Sequence, residues 1–395
     1  MSAIKKVVGM PDPFASNAVK ESEAYGLEVA KVIQNEWFNG GILESGCNFY
    51  DRRETIIDNR KRYRGEQDTD RYKNILSRQK GDLTYLNLDW RPLNYSGKYC
   101  NLVSNGIRDN FYRIDIRAND RLSVKMKADK QEEHRKNMRS LPMLQKTKEI
   151  LGLDLIPKGF IPADEEELQL YMEIKDKPKI EIAEELIIDY IKKSNRWGEI
   201  EKVKNDDLVQ NGLAVSRIWT DTKDGIKVEE VDIENFGHSY VKNDDFSDAK
   251  YFFVLDNVTL NDIQRESQCS DKQIREIAKN FSSTNTLDIE KCEIKELLHL
   301  RADVMRFSFY TTKRDVFKVH KRNGQTKKIS KRDEDFNPPE NRADYGKAVN
   351  VRDTWFEGSF VLGSEYLYNY KECENLVKDE LNKARPPFIA QATKI

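Results

Sequence analysis

Three aspartates fall within five residues in "NDDFSD": Asp244, Asp245 and Asp248. Carboxylates bunched this way invite divalent-cation chemistry, because hard metal ions take oxygen ligands. "EVDIEN" places Asp232 and Glu234 just upstream, and Asp221 precedes a turn at Asp224-Gly225. Asp221, Asp232, Asp244 and Asp245 are thus the set that a metal-dependent nucleic-acid-processing enzyme would use. A calcium loop, however, alternates its ligands, turns on a glycine and closes on a glutamate. "NDDFSD" has neither residue in place. Aspartate also favours turns between strands, because its side chain bonds nearby backbone. The cluster therefore reads as a turn, and no catalytic residue, metal or cofactor is assigned.

Other chemistries find less. The four histidines (134, 238, 299 and 320) are far apart, with no H-x-x-x-H spacing for zinc. There is no G-x-x-x-x-G-K-[ST] phosphate loop and no G-x-S-x-G elbow. Cysteines 47, 100, 269, 292 and 373 are scattered, which predicts reduced thiols in a cytosolic setting. The opening "MSAIKKVVGMPDPFASNAVK" has no secretory apolar core, and no run approaches the roughly 18 apolar residues of a membrane span.

One local cluster stands out. Between Lys313 and Arg332 lie nine Lys/Arg residues and one acid, Asp315, around the hairpin dipeptide Asn323-Gly324. Alternation puts Lys318, His320 and Arg322 on one face and Phe317, Val319 and Lys321 on the other. Lys313, Arg314, Lys318, Arg322, Lys327, Lys328, Lys331 and Arg332 are the candidates to meet phosphate or an acidic partner. Lysine on a solvated edge hairpin also blocks unwanted strand pairing. The aromatics beside it (Phe307, Phe309, Tyr310 and Phe317) have apolar neighbours at strand spacing and read as core.

These candidates need a scaffold. The 395 residues suit two or three domains; charged residues reach 34% and the net charge is −1, so no global field points to nucleic acid. Helices are predicted over 14–38, 49–65 and about 96–110, with an edge strand at 113–120. An exposed helix over 121–149 is expected to break near Pro142, and Pro157 and Pro162 punctuate a linker. "PADEEELQLYMEI" opens the next helix. The clearest one follows, striped by Ile180, Ala183, Ile187 and Ile191 and widened by Ile182, Leu186 and Tyr190. Trp197, Ile200, Val203 and Leu208 mark another, stopped at Asn211-Gly212. From Leu213 the period becomes two, and "KYFFVLDN" is a continuous apolar strand. Thr259, then Ser270 with Gln273, cap two short helices before the β segments that end near Tyr370. The class is α+β, with mixed helices and antiparallel strands.

The order of these segments resembles the portal proteins of tailed bacteriophages, the crAss-like phages in particular. "NRKRYRGEQDTDRY" resembles the early portal helix and its turn, and "LDWRPLNYSGKYCNLVSNGIRD" the approach to the wing. "PADEEELQLYMEI" with "EIAEELIIDYIKKSNRWGEIEKVKNDDLVQNGLAVSRIWTD" is similar to the wing helices and the strand after them. The hairpin from Asp221 to Val231, the turn from Asn243 to Asp248 and the strand from Ala249 to Leu255 follow the portal order. The resemblance implies an N-terminal region at 1–120, a wing at 121–258, helices leading into a stem at 259–300, a β-rich clip at 301–385 carrying the basic hairpin, and a return segment from 386. Portals continue with a returning stem helix, a tunnel loop and a crown, so 395 residues would be the front of a longer protein.

The implied function is a non-enzymatic subunit of a twelve-fold ring at one vertex of the virion capsid, made in the host bacterial cytoplasm. Its partners would be its own copies, the major capsid protein, the terminase, tail-connector proteins and the double-stranded DNA that passes during packaging and ejection, with no membrane. Another structural connector or capsid protein would share this composition.

Overall fold

A computed structural model of the chain describes residues 10–38, 49–66, 69–70, 73, 93–108, 114–152, 161–175, 177–221, 225–281, 292–322, 325–338, 344–373 and 384–392. It is a mixed α+β protein. The chain divides into two units, 109–199 and the remainder (1–108 with 200–395).

The larger unit is built on strands β1 (Leu213–Asp221), β2 (Gly225–Glu230), β3 (Phe236–His238), β4 (Tyr251–Thr259), β5 (Arg301–Arg322), β6 (Gln325–Arg332), β7 (Tyr345–Val361), β8 (Leu367–Glu372) and β9 (Phe388–Ala392). One sheet runs β2-β1-β9; the other runs β3-β4-β5-β7-β8, with β6 pairing β5. All the pairs are antiparallel.

Alternation along the central strands feeds two different cores. Tyr251, Phe253 and Leu255 of β4 pair with Phe309, Phe307 and Met305 of β5. These six side chains, with Phe356 and Phe360 of β7, form one cluster. It is covered by α2 (Glu23–Trp37), through Tyr25, Val29, Ala30 and Ile33, and by Phe49 at the start of α3 (Phe49–Arg64). On the opposite face Phe252 and Trp355 pack with Phe236, Phe388 and Val215. Further along that face Val304, Ala302 and Val361 meet the short helices Leu260–Ser267 and Asp271–Phe281 through Leu260, Ile263, Ile274 and Ile277. The aromatic pattern of "KYFFV" is therefore two-sided because both faces of β4 are buried.

Several sequence expectations hold. The Thr259 hydroxyl accepts the Asp262 amide at 3.2 Å, and the Gln273 side chain accepts the Ser270 amide at 2.9 Å. Gly212, with φ 73°, closes the helix Trp197–Asn211. The predicted helix over 14–38 is instead two, α1 (Asn17–Lys20) and α2, because Ser22 takes extended backbone and its hydroxyl receives the Tyr25 amide. The helix α4 (Tyr95–Arg108) buries Gly97 and Ser104 and leaves Tyr95, Tyr99, Leu102 and Val103 exposed.

The smaller unit corrects two expectations. Residues 114–119 are not a strand: the Ile116 and Ala118 amides donate to Glu185 at 3.3 Å and to Glu181 at 3.1 Å. Helix carboxylates there take the place of a strand partner. The helix α5 (Arg121–Leu151) runs unbroken through Pro142. Proline removes one amide from the ladder, and the flanking residues are good helix formers that carry the helix past it.

Helix α6 (Glu165–Ile174) buries Leu168 and Met172. Helix α7 (Lys179–Ser194) forms as predicted but faces the other way. Glu181 is 2% exposed, whereas Leu186, Ile187 and Tyr190 are 63%, 55% and 68% exposed. Its polar side is held by the two backbone amides above and by Lys177, whose ammonium lies 2.6 Å from Glu185. Among the described residues no helix is long and apolar enough to cross a membrane.

Candidate functional site

The far end of β5, with β6 and the first part of β7, forms a three-stranded arm. Register fixes its faces: Lys318 lies opposite Ser330 on one side and Lys347 on the other, and Phe317 lies opposite Lys331 and Ala348. Directly opposed residues in an antiparallel sheet share a face. One face therefore carries Arg314, Val316, Lys318 and His320 of β5, Lys328 and Arg332 of β6, and Tyr345, Lys347, Val349 and Val351 of β7. The other carries Asp315, Phe317 and Val319 with Ile329, Lys331 and Arg352. The predicted split of Lys318 and His320 from Phe317 and Val319 is what the strands adopt. A bulge follows His320. The turn at Asn323-Gly324 and the side chains of Lys321, Arg322 and Lys327 lie outside the described residues.

The eight candidate cations do not share one environment. Lys313 is turned inward: it is 6% exposed, with its ammonium 2.6 Å from Glu21 and 2.5 Å from Glu372. It fastens α1 and β8 to β5 and presents no charge outward. Lys331 lies 2.7 Å from Asp315, which also faces Arg352. The single acid of the hairpin is thus spent on the face opposite Lys318. Arg314, Lys328 and Arg332 are exposed, as is Lys347, which the sequence reading left out. Lys318 is half-buried, with its ammonium 3.9 Å from the centre of the Tyr345 ring. This contact fixes a flexible cation in place.

Burial pulls the Lys313 ammonium down, but Glu21 and Glu372 outweigh it and the pKa is raised. Burial likewise pushes Glu372 up, and Lys313, Thr354 and Arg352 bring it below the usual carboxylate range. The stability from Glu372 is present above that range and lost as pH falls through its lowered value. That from Lys313 is lost only in strong alkali. Chemical denaturation from neutral to acid pH should show a weakening that Lys313→Met makes shallower; an unchanged acid limb in the variant would show that this pair contributes nothing.

The aspartate turn behaves as backbone scaffolding. The Asp248 carboxylate accepts the Lys242 and Asn243 amides at 2.8 and 3.4 Å, and Asp245 accepts the Ser247 amide at 3.1 Å. Those amides lower the Asp248 pKa. Asp232 and Glu234 are drawn elsewhere: Arg60 of α3 forms ion pairs with Asp232, Asp207 and Glu234. Arg60 is 147–174 residues away from these acids in sequence, so no local spacing could have announced the cluster. Among the described residues no three histidine, cysteine or acidic side chains converge to hold a metal ion. His238 is half-buried against Trp37, Phe236 and Phe246, and desolvation there lowers its pKa to about 4. Cys100, Cys269, Cys292 and Cys373 are free thiols.

Neither a protein-family profile nor a curated protein sequence matches the chain.

Proposed function

We propose that this chain is a subunit of a phage portal: a ring at one capsid vertex through which genomic DNA is packaged and ejected. The ring is twelve-fold, belongs to the virion, docks the terminase and later receives tail-connector proteins. The chain performs no catalysis, since the motor's ATPase is a separate protein.

The observation that carries this reading is the outward apolar face of α7, on which Ile180, Ile182, Leu186, Ile187 and Tyr190 are all exposed. Soluble chains rarely leave such a stripe uncovered unless another surface meets it. A second exposed stripe, Tyr95, Tyr99 and Leu102 of α4, lies on the other unit. Head-to-tail closure of a ring requires two different surfaces per copy, and near-zero net charge with one confined basic patch suits a wall that must let a duplex pass. The order of segments that resembles portals supplies the specific setting.

Particle mass and low-magnification imaging of the purified protein test this. Multi-subunit rings with an axial hole are expected. A monomer or dimer without a hole overturns the proposal.

A further inference from the structure

We propose that the Lys318 face of the arm binds the phosphate backbone of double-stranded nucleic acid, without reading its sequence. The conduit reading supplies its setting, and this inference rests on that reading for its biological role, but the binding itself follows from the arm's geometry.

The hairpin's cations are not one diffuse cloud: Lys313 is neutralised by Glu21 and Glu372, and Lys331 by Asp315. What remains among the described residues is a set of cations on one face, namely Lys318, Lys328, Arg332 and Lys347, with Arg314 at its far end. From Arg314 to His320 the three strands contribute no acid to that face; Asp353 of β7 lies one step beyond, and the segment after β6 brings the Glu334 carbonyl to 3.4 Å from the Lys347 ammonium and the Phe336 ring centre to 5.9 Å from that of Lys318. Among the described residues none of these five cations is ion-paired.

Spacing comes next. Same-face residues recur about every 7 Å along a strand and about 5 Å across strands. Lys318 and Lys347 are direct neighbours, Arg332 lies one step toward Arg314, and Lys328 one step toward the tip. This makes a compact lattice of cations anchored on a rigid sheet, with Lys318 held by Tyr345. A regular polyanion meets such a lattice at many equivalent positions, so contact persists while the duplex slides. A protein partner would instead want an apolar centre with a charged rim. Of the exposed apolar residues, Val349 stands in the row of Arg332 with Val316 between them, and Val351 one step further, opposite Arg314, so the apolar surface edges the cations and does not centre them.

The measurement is fluorescence anisotropy of a labelled 30-base-pair duplex of arbitrary sequence against the full chain, across a salt series. With about four phosphates neutralised per copy, log K should fall against log salt with a slope of about −3.6. Lys328→Glu with Lys347→Glu should weaken binding more than about tenfold and flatten the slope by about 1.8, two contacts' worth. Lys371, on β8 opposite Glu357, lies 3.4 Å from that carboxylate; Lys331→Glu with Lys371→Glu changes the net charge equally off this face and should leave both quantities close to wild type. Equal loss in the two variants, or no loss in either, overturns the proposal. So does binding of polyglutamate in place of the duplex, which would assign the face to an acidic protein. Imaging the same samples separates the two readings. Face-specific binding by a monomer sinks the conduit alone, and rings without face-specific binding sink this inference alone.

Discussion

Replacing Arg60 with methionine is expected to lower folding stability by about 3–5 kcal/mol, the usual consequence of stranding a buried charge. Arg60 bonds Asp207 and Asp232, each at 3.0 Å, and pairs with Glu234. The Asp207 side chain is 7% exposed, so water cannot replace the lost partner. Burial is the largest single influence and works against the Arg60 charge, yet Asp207 and Asp232 together outweigh it and the pKa is raised. For Asp207 burial dominates and raises the pKa, with Arg60 opposing. Removing Arg60 drives it higher still. A carboxyl whose folded pKa exceeds its unfolded value is tolerated best at low pH and destabilises as pH rises through that value. The variant should therefore recover toward wild type on acidification. Urea midpoints across pH measure both effects, and equal midpoints at neutral pH would show that the three acids do not depend on Arg60. Asp232, 46% exposed, adds little.

Gly237→Ala is the second large loss we expect. Gly237 pairs directly with Phe253, whose ring lies over it so closely that an added Cβ would stand 2.1 Å from the ring's Cζ. The ring has nowhere to go: Trp37 meets it edge-on at 5.3 Å, and Phe38 and Phe49 close the other sides. Overpacking of this kind costs about 1–3 kcal/mol and sometimes more; a fully buried, locked ring puts Gly237 at the upper end. Phe253→Leu, which removes the obstructing atoms, should recover part of the loss in the double variant. Strict additivity in a double-mutant cycle would mean the contact is not the cause.

Local signals were legible wherever backbone chemistry decides the outcome. Thr259, the Ser270–Gln273 box and Gly212 act within a few residues of themselves, so their spacing was sufficient. The strand alternation of "KYFFV" and of the basic hairpin was also readable, because side-chain direction follows from a period of two. What escaped was set by distant partners. The bonds from Glu181 and Glu185 to the amides of 114–119 kept a strand pattern from becoming a strand. The same two acids helped hold the polar side of α7 inward, so a stripe that promised burial ended exposed. Lys313 looked like one more surface lysine until Glu21 and Glu372, 292 and 59 residues away, arrived beside it. Charge counts along the hairpin could show that it is basic; only the register showed which face keeps the charge.

The length of β5 has a mechanical meaning. Its 22 residues extend about 70 Å, the first half inside the packed centre and the second half reaching out along the arm, without a break in the strand. Load applied at the tip reaches the aromatic interior through one continuous backbone, and no hinge dissipates it on the way. Because the bonds to β7 lie across the strand direction, an axial pull must rupture many rungs together, whereas a sideways peel opens them singly. The arm is a strut: stiff against forces along it and compliant to those that lift its edge.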